Sequence, residues 1–189
     1  SGELAIVVGG DCGVALGALM PVAGDDLAVV WIDAHADLNI PATSPSGAFH
    51  GMVLRAITGE GESLLRLEPG IPPARLVLAG TRSLDAEEQR FIEHHNVRVV
   101  APDEMADPDV LAAAVVATGA TRVYVHVDLD VLDPAEMAGV ALPEPFGART
   151  VDVVASIRRL RERLPLAGAT LTEFSPSSPA AAVDDLGTI

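Results

Sequence analysis

Asp33, His35 and Asp37 occupy alternate positions in the run Trp31-Ile32-Asp33-Ala34-His35-Ala36-Asp37, directly after the apolar stretch Leu27 to Ile32. Alternate side chains of an extended chain point to one side. Two carboxylates and an imidazole are therefore expected to converge at a strand's end. Hard oxygen and nitrogen donors of this kind suit a divalent metal such as Mn2+. The competing reading is a polar loop after a buried strand. The segment Arg122 to Pro134 repeats the arrangement, with an apolar strand ending in Asp128 and Asp130, which share a face. Adjacent carboxylates repel, and burial raises their cost, but they tolerate each other when a cation sits between them. Asp133, before Pro134, is expected to cap or turn the chain. His126 is set one residue out of phase with these acids and is expected to pack or bond behind the sheet rather than bind metal.

Alternating strands and helices must position these groups. Strands are predicted over 4–9, 27–33, 75–80, 97–101, 122–128 and 168–173. Most are continuous apolar runs, as strands buried on both faces of a parallel sheet require. Helices are predicted over 13–20, 50–58, 85–95, 107–118 and 150–163. Asp107-Pro108 reads as an N-cap with proline at the first helical position, and Thr150 as the N-cap of the last helix. Val153, Ile157, Leu160 and Leu164 form that helix's apolar stripe. The alternation implies an α/β fold, a three-layer α/β/α domain with a mostly parallel central sheet. Residues 38–49 and 134–149, rich in Pro, Gly and Ser, read as long loops of the kind that carry function. The chemistry-bearing groups all follow strands: Asp11 and Cys12 the first, the triad the second, Asp128 and Asp130 the fifth, and Glu173 the sixth. Open parallel sheets bind ligands beyond the carboxyl ends of their strands, so these motifs are expected to meet at one rim.

A chain of 189 residues is long enough for one domain with a proper core. No apolar run approaches a membrane span and no signal-peptide pattern is visible. The single cysteine excludes an internal disulfide and suits a reducing compartment, so a cytoplasmic location is expected. A formal charge of −15 argues against nucleic acid and anionic membranes as partners and weakly favours a cationic substrate.

Gly9-Gly10-Asp11-Cys12, Asp33-Ala34-His35-Ala36-Asp37 and Asp128-Leu129-Asp130-Val131-Leu132-Asp133-Pro134, in that order, resemble the motifs of the arginase, or ureohydrolase, family of binuclear manganese enzymes. The last two motifs are complete. The first departs at its final position, where Cys12 replaces a metal-binding histidine. The resemblance runs from about residue 4 to the end of the chain. Family members usually carry sheet strands before that point and a last helix after the segment at 185–189. The single domain at 1–189 is therefore expected to be incomplete, with a sheet edge or face uncovered.

The resemblance implies two Mn2+ per chain, bridged by Asp33 and Asp128. Cys12 and Asp37 would complete one site, and His35 and Asp130 the other. Cys12 has two readings: a soft thiolate ligand that weakens Mn2+ and favours zinc, or a small buried residue at a helix start that binds nothing. Asn39 and Ser46 match positions that recognise an amino acid's carboxylate, although on their own they read as turn formers. His50 matches a proton shuttle, a task for which imidazole is suited, although on its own it reads equally well as a loop histidine. Asp85 matches a residue that contacts the substrate α-amino group. Glu88 lies in the same segment and also reads as an ordinary acid of a first helical turn. Glu173 matches the glutamate that holds a guanidinium, a pairing of two parallel hydrogen bonds.

The implied activity is hydrolysis of a guanidino compound, L-arginine to L-ornithine and urea, by a hydroxide bridging two Mn2+. His50, Glu173 and Asp37 would be the catalytic groups. Agmatinase, guanidinobutyrase and formiminoglutamase activities are alternatives. So are a catalytically weak member serving as a binding or regulatory subunit, and a zinc hydrolase of the related deacetylase fold. A homotrimer or homohexamer is the implied assembly.

Overall fold

The structure, a computed structural model, describes residues 4–187. Six strands, β1 (Ile6–Val8), β2 (Leu27–Ile32), β3 (Leu76–Ala79), β4 (Arg98–Val100), β5 (Arg122–Asp128) and β6 (Leu166–Thr172), form one sheet in the order β1-β6-β5-β2-β3-β4. Every neighbouring pair is parallel. The helices are α1 (Val14–Leu19), α2 (Val53–Ile57), α3 (Ala86–His95), α4 (Pro108–Ala117), α5 (Thr150–Arg163) and α6 (Pro179–Asp185).

The central strands are apolar on both sides because both sides are covered. All six residues of β2 are buried. Its alternation sends Ala28, Val30 and Ile32 to a cluster with Leu111 and Val115 of α4 and Val153 and Leu160 of α5. Leu27, Val29 and Trp31 join Leu19 of α1, Leu54 and Ile57 of α2 and Phe91 of α3. Two helices thus cover one face and three the other, which gives the expected three layers. At the sheet's edge β1 is different: Ile6 is 63% and Val8 70% exposed, so an apolar edge strand stands uncovered among the described residues.

Most predicted elements appear within a residue or two of their expected ends. Asp107 caps α4 by accepting the Asp109 N–H at 3.0 Å, with Pro108 at the position whose N–H has no helical partner. Three details differ. Thr150 is the first residue of α5 rather than its cap; the cap position is Arg149, which makes no side-chain cap bond, and Glu136 accepts the Thr150 N–H at 2.6 Å instead. The helix expected over 50–58 is a 3-10 turn at Phe49–Met52 followed by the short α2, a step that presents His50 before the helix proper. α6 was not predicted from sequence, although Ser178-Pro179 carries its signal: Ser178 accepts the Ala181 N–H at 3.1 Å and Pro179 takes the first turn.

The strand order locates the site. From β2 the chain moves outward through β3 to β4; it then returns to β5 on the other side of β2 and moves out to β6, which lies beside the edge strand β1. The carboxyl ends of β2 and β5 therefore flank the switch point, where an open α/β sheet leaves a crevice for ligand. Gly80 leaves β3 beside that crevice with φ +80°, and a Cβ built on it would meet Val131 Cγ2 at 2.2 Å. Gly80→Ala is expected to lower unfolding free energy by about 1–3 kcal/mol through left-handed strain and overpacking, read as a shifted denaturant midpoint at constant m-value. An unshifted midpoint would show that the turn tolerates a side chain.

Candidate metal centre and substrate cavity

The ends of β2 and β5 are tied together by their acids. Asp33, just past β2, accepts the Trp31 indole N–H at 2.9 Å on Oδ2 and the His35 backbone N–H at 2.6 Å on Oδ1. Asp128 closes β5 and accepts the Asp130 N–H at 2.8 Å. Asp130 accepts the Ala34 N–H at 3.1 Å, and its other oxygen lies 2.9 Å from His35 Nδ1. Cys12, before α1, donates its thiol to Asp128 Oδ2 at 2.9 Å and sits 3.9 Å from Asp33 Oδ2.

Two groups of ligand atoms result, each with all its atoms within 4.8 Å of one another: Asp33, His35 and Asp130, and Cys12, Asp33, His126 and Asp128. Asp33 belongs to both, as a carboxylate shared by two ions would. Asp37 belongs to neither. The chain leaves the strand at Ile32, and Asp37 has φ +52°, so the alternation that groups Asp33 with His35 does not carry to the third member. Its carboxyl is nevertheless buried, and Oδ2 has no hydrogen-bond partner among the described residues.

His126 requires a correction. Residues 126 and 128 are two apart, so strand alternation puts them on one face, not out of phase. The structure places His126 in the Cys12 group. It does pack and bond as expected, stacked on Trp31 at 3.6 Å with Nδ1 2.7 Å from Thr170 Oγ1.

The electrostatics of these donors fit divalent cations. Burial, with Asp130 nearby, pushes the Asp33 carboxyl up to about 7. Burial and the Asp33 and Asp130 charges push Asp128 up to about 11. Asp37 is raised well above the usual carboxylate range by burial and Asp33. The Cys12 thiol is raised by burial and by Asp37, Asp33 and Asp128. Desolvated acids crowded this closely hold their negative charges only with positive charge among them. Asp130 departs from the pattern: burial acts to raise it, but its hydrogen bond to His35 holds it low. Burial acts to lower His35, yet Asp130 and Asp33 push it up to about 11.

A cavity of about 440 Å³ opens over this centre. Cys12, His35, Asp37, Asp128 and Asp130 line it, and so do Asn39, Ser46, His50, Asp85, Glu88 and Glu173. Of the metal, catalytic and substrate positions expected from the sequence, Asp33 alone is absent from its lining, being buried at 1% exposure. Several of these groups also hold the fold. Asn39 donates to Asp85 Oδ2 at 2.9 Å and accepts from Thr43 at 2.8 Å. Ser46 accepts the Ala48 N–H at 3.1 Å. Asp85 and Glu88 form the capping box of α3, and Glu88 also accepts the Leu38 N–H at 3.0 Å. Burial raises the Glu88 carboxyl. Glu173 has φ +66°, fixed by its N–H bond to Gly10 O at 2.9 Å. Burial raises its carboxyl as well, with His50 acting in the opposite sense. Two acids in left-handed backbone, Asp37 and Glu173, thus face one cavity, the kind of local strain that clusters at functional sites.

Two residues without a sequence-derived role shape the rim. The Arg82 guanidinium donates to the carbonyls of Gly80, Asp130, Val131, Glu144 and Pro145 at 2.7–3.2 Å. Glu144 accepts from Ser83 at 3.1 Å and lies 3.7 Å from His35 Nε2. Carbonyl partners leave no trace in a sequence, so Arg82 could be found only in three dimensions.

A parallel α/β/α domain with two ligand groups sharing one aspartate at its switch point defines a class of metal-dependent fold. Residues 1–183 match the model of the Arginase family, and the chain belongs to that family. An arginase of Staphylococcus aureus strain MRSA252 is 40% identical over 147 residues, covering 71% of this chain and 48% of the relative. An arginase of Bacillus caldovelox is 33% identical over 186 residues, 93% of this chain and 62% of the relative. Among solved structures, an arginase from Bacillus cereus superposes with a TM-score of 0.88 at 30% identity, covering 99% of this chain and 69% of the other. The chain thus spans from about half to just under two thirds of the length of these curated relatives.

The raised acids give a pH signature. Folded Asp33 and Asp128 hold protons more tightly than the unfolded chain, so their contribution is intact below the unfolded carboxylate pKa of about 4 and is lost as pH rises above it. His35, also raised, contributes below its unfolded pKa of about 6.5, and that contribution is lost as pH rises towards its folded value. A divalent cation bound there would replace those protons, so the thermal stabilisation by saturating Mn2+ is expected to grow from about pH 5 to about pH 8. A pH-independent increment in Tm would contradict this account of the centre.

Proposed function

We propose that the domain hydrolyses a guanidino compound, with L-arginine giving L-ornithine and urea. The observation that carries this reading is the convergence, on one cavity, of two ligand groups sharing Asp33 with the side chains of His50 and Glu173. Family membership supports it.

Bound there, two divalent ions would supply a water acidified to near neutrality, with Mn2+ suited to the hard donors Asp33, His35 and Asp130. The remaining work falls to the chain. A guanidinium stays charged at any working pH, its pKa being about 13.8, and the cavity's acids favour that charge. Glu173 pairs with the guanidinium through parallel hydrogen bonds and turns its carbon towards the centre. His50 relays a proton to the departing amine. Asp85, with Glu88 behind it in the capping box, takes an α-amino group, and Ser46 with Asn39 takes the carboxylate.

One observation favours a second substrate. The Asn39 amide is already engaged by Asp85 and Thr43, which leaves less of it for a carboxylate and suits a decarboxylated guanidine such as agmatine. The two readings separate in urea release from the metal-reconstituted protein. With L-arginine as substrate, agmatine is expected to react several orders of magnitude more slowly in kcat/KM, because a site built for polar groups rejects an analogue that leaves them unpaired. Asp85→Ala should then cost far more with arginine than with a substrate lacking the α-amino group. Equal rates from arginine and agmatine would remove the arginine assignment, and no urea from any guanidino compound with both ions bound would remove the hydrolase reading itself.

A further inference from the structure

We propose that Cys12, His126, Asp33 and Asp128 form a mixed thiolate–imidazole site that selects a borderline-soft cation of the zinc class, beside the harder Asp33–His35–Asp130 group. This rests on reading the cavity as a two-ion centre, and it assigns His126 a ligand role that the sequence reading denied it.

The geometry begins with the histidine. His126 is fully buried, and strand register sets it between Trp31 on β2 and Thr170 on β6. Trp31 stacks on the ring at an interplanar angle of 17°, which fixes its plane. Thr170 Oγ1 at 2.7 Å takes Nδ1. With the Nδ1 proton directed to Thr170, the lone pair of Nε2 is free, the same arrangement by which a hydrogen bond at one ring nitrogen sets the other for metal. Nε2 is buried and has no partner among the described residues. An imidazole with a buried, unpartnered nitrogen, grouped within 4.8 Å of a thiol and two carboxylates, is a ligand waiting for a cation.

Cys12 supplies the selectivity. Its thiol proton is donated to Asp128 Oδ2. A cation bound by this group takes that proton's place, so the thiolate becomes a ligand and one proton goes to solvent. Sulfur, nitrogen and carboxylate oxygen are each donors that zinc accepts, and four of them match its usual coordination number. Thiolate is poorly matched to Mn2+, whereas carboxylate and imidazole alone suit it well. The alternative, in which Cys12 only packs near Ala15 and Leu16 and His126 only stacks, leaves Nε2 buried and unsatisfied.

The test needs metal readouts rather than turnover. X-ray absorption at the zinc edge of the wild-type chain, loaded with Mn2+ and one equivalent of Zn2+, is expected to show one sulfur and imidazole scattering. Co2+ in place of Zn2+ is expected to give a thiolate charge-transfer band in the near ultraviolet. His126→Phe, which keeps a ring on Trp31, should weaken Zn2+ by at least about 10- to 100-fold while leaving the electron paramagnetic resonance of Mn2+ at the other group unchanged. Cys12→Ser should abolish the band. A zinc shell without sulfur, or an unaltered zinc affinity in His126→Phe, overturns the proposal. Two tightly held Mn2+ with urea release would overturn it and leave the hydrolase reading intact, whereas the mixed site without urea release would support it and overturn that reading.

Discussion

Everything near the centre follows from the mutual repulsion of buried carboxylates. Asp33, Asp37, Asp128 and Asp130 are all buried at one end of the sheet. Such a cluster survives in a fold only where the backbone and counter-charges fix it in place. Here the backbone N–H groups of Ala34, His35 and Asp130, the Trp31 indole and the His35 imidazole meet the carboxylate oxygens one by one. These bonds also join the ends of β2 and β5. The polar centre therefore does part of the work of holding the sheet's switch point in register.

Much of this was readable in the chain. The buried strands announce themselves as apolar runs, and each chemical motif begins where a run stops. That placed Asp33, Asp128, Cys12 and Glu173 at one rim. Period-two reasoning groups Asp33 with His35 just past β2 and does not extend to Asp37, which lies further out in left-handed backbone. With His126 the principle was sound and its application was not: counting from Asp128 puts the histidine on the metal face. α6 was missed because seven residues with few large apolar side chains carry little periodicity, while the Ser178-Pro179 start signal stands outside the apolar pattern.

What the sequence withheld were partnerships. That Asn39 holds Asp85, that Glu88 ties the loop after β2 to α3, and that Thr170 grips His126 all require side chains distant in sequence to meet. The apolar edge at β1 stands exposed among the described residues, and no local motif marks it.

Arg82 has a consequence of a different kind. Among the described residues, its guanidinium donates to main-chain oxygens: those of the rim loop, of the turn after β5 and of Gly80. A clasp of this sort is indifferent to which side chains those positions carry. The loop around Glu144 can exchange residues without loosening its anchorage, so mutation can explore new ligands there while the scaffold beneath stays put. Placement thus rests on the main chain of that loop and recognition on its side chains, so the two can change independently.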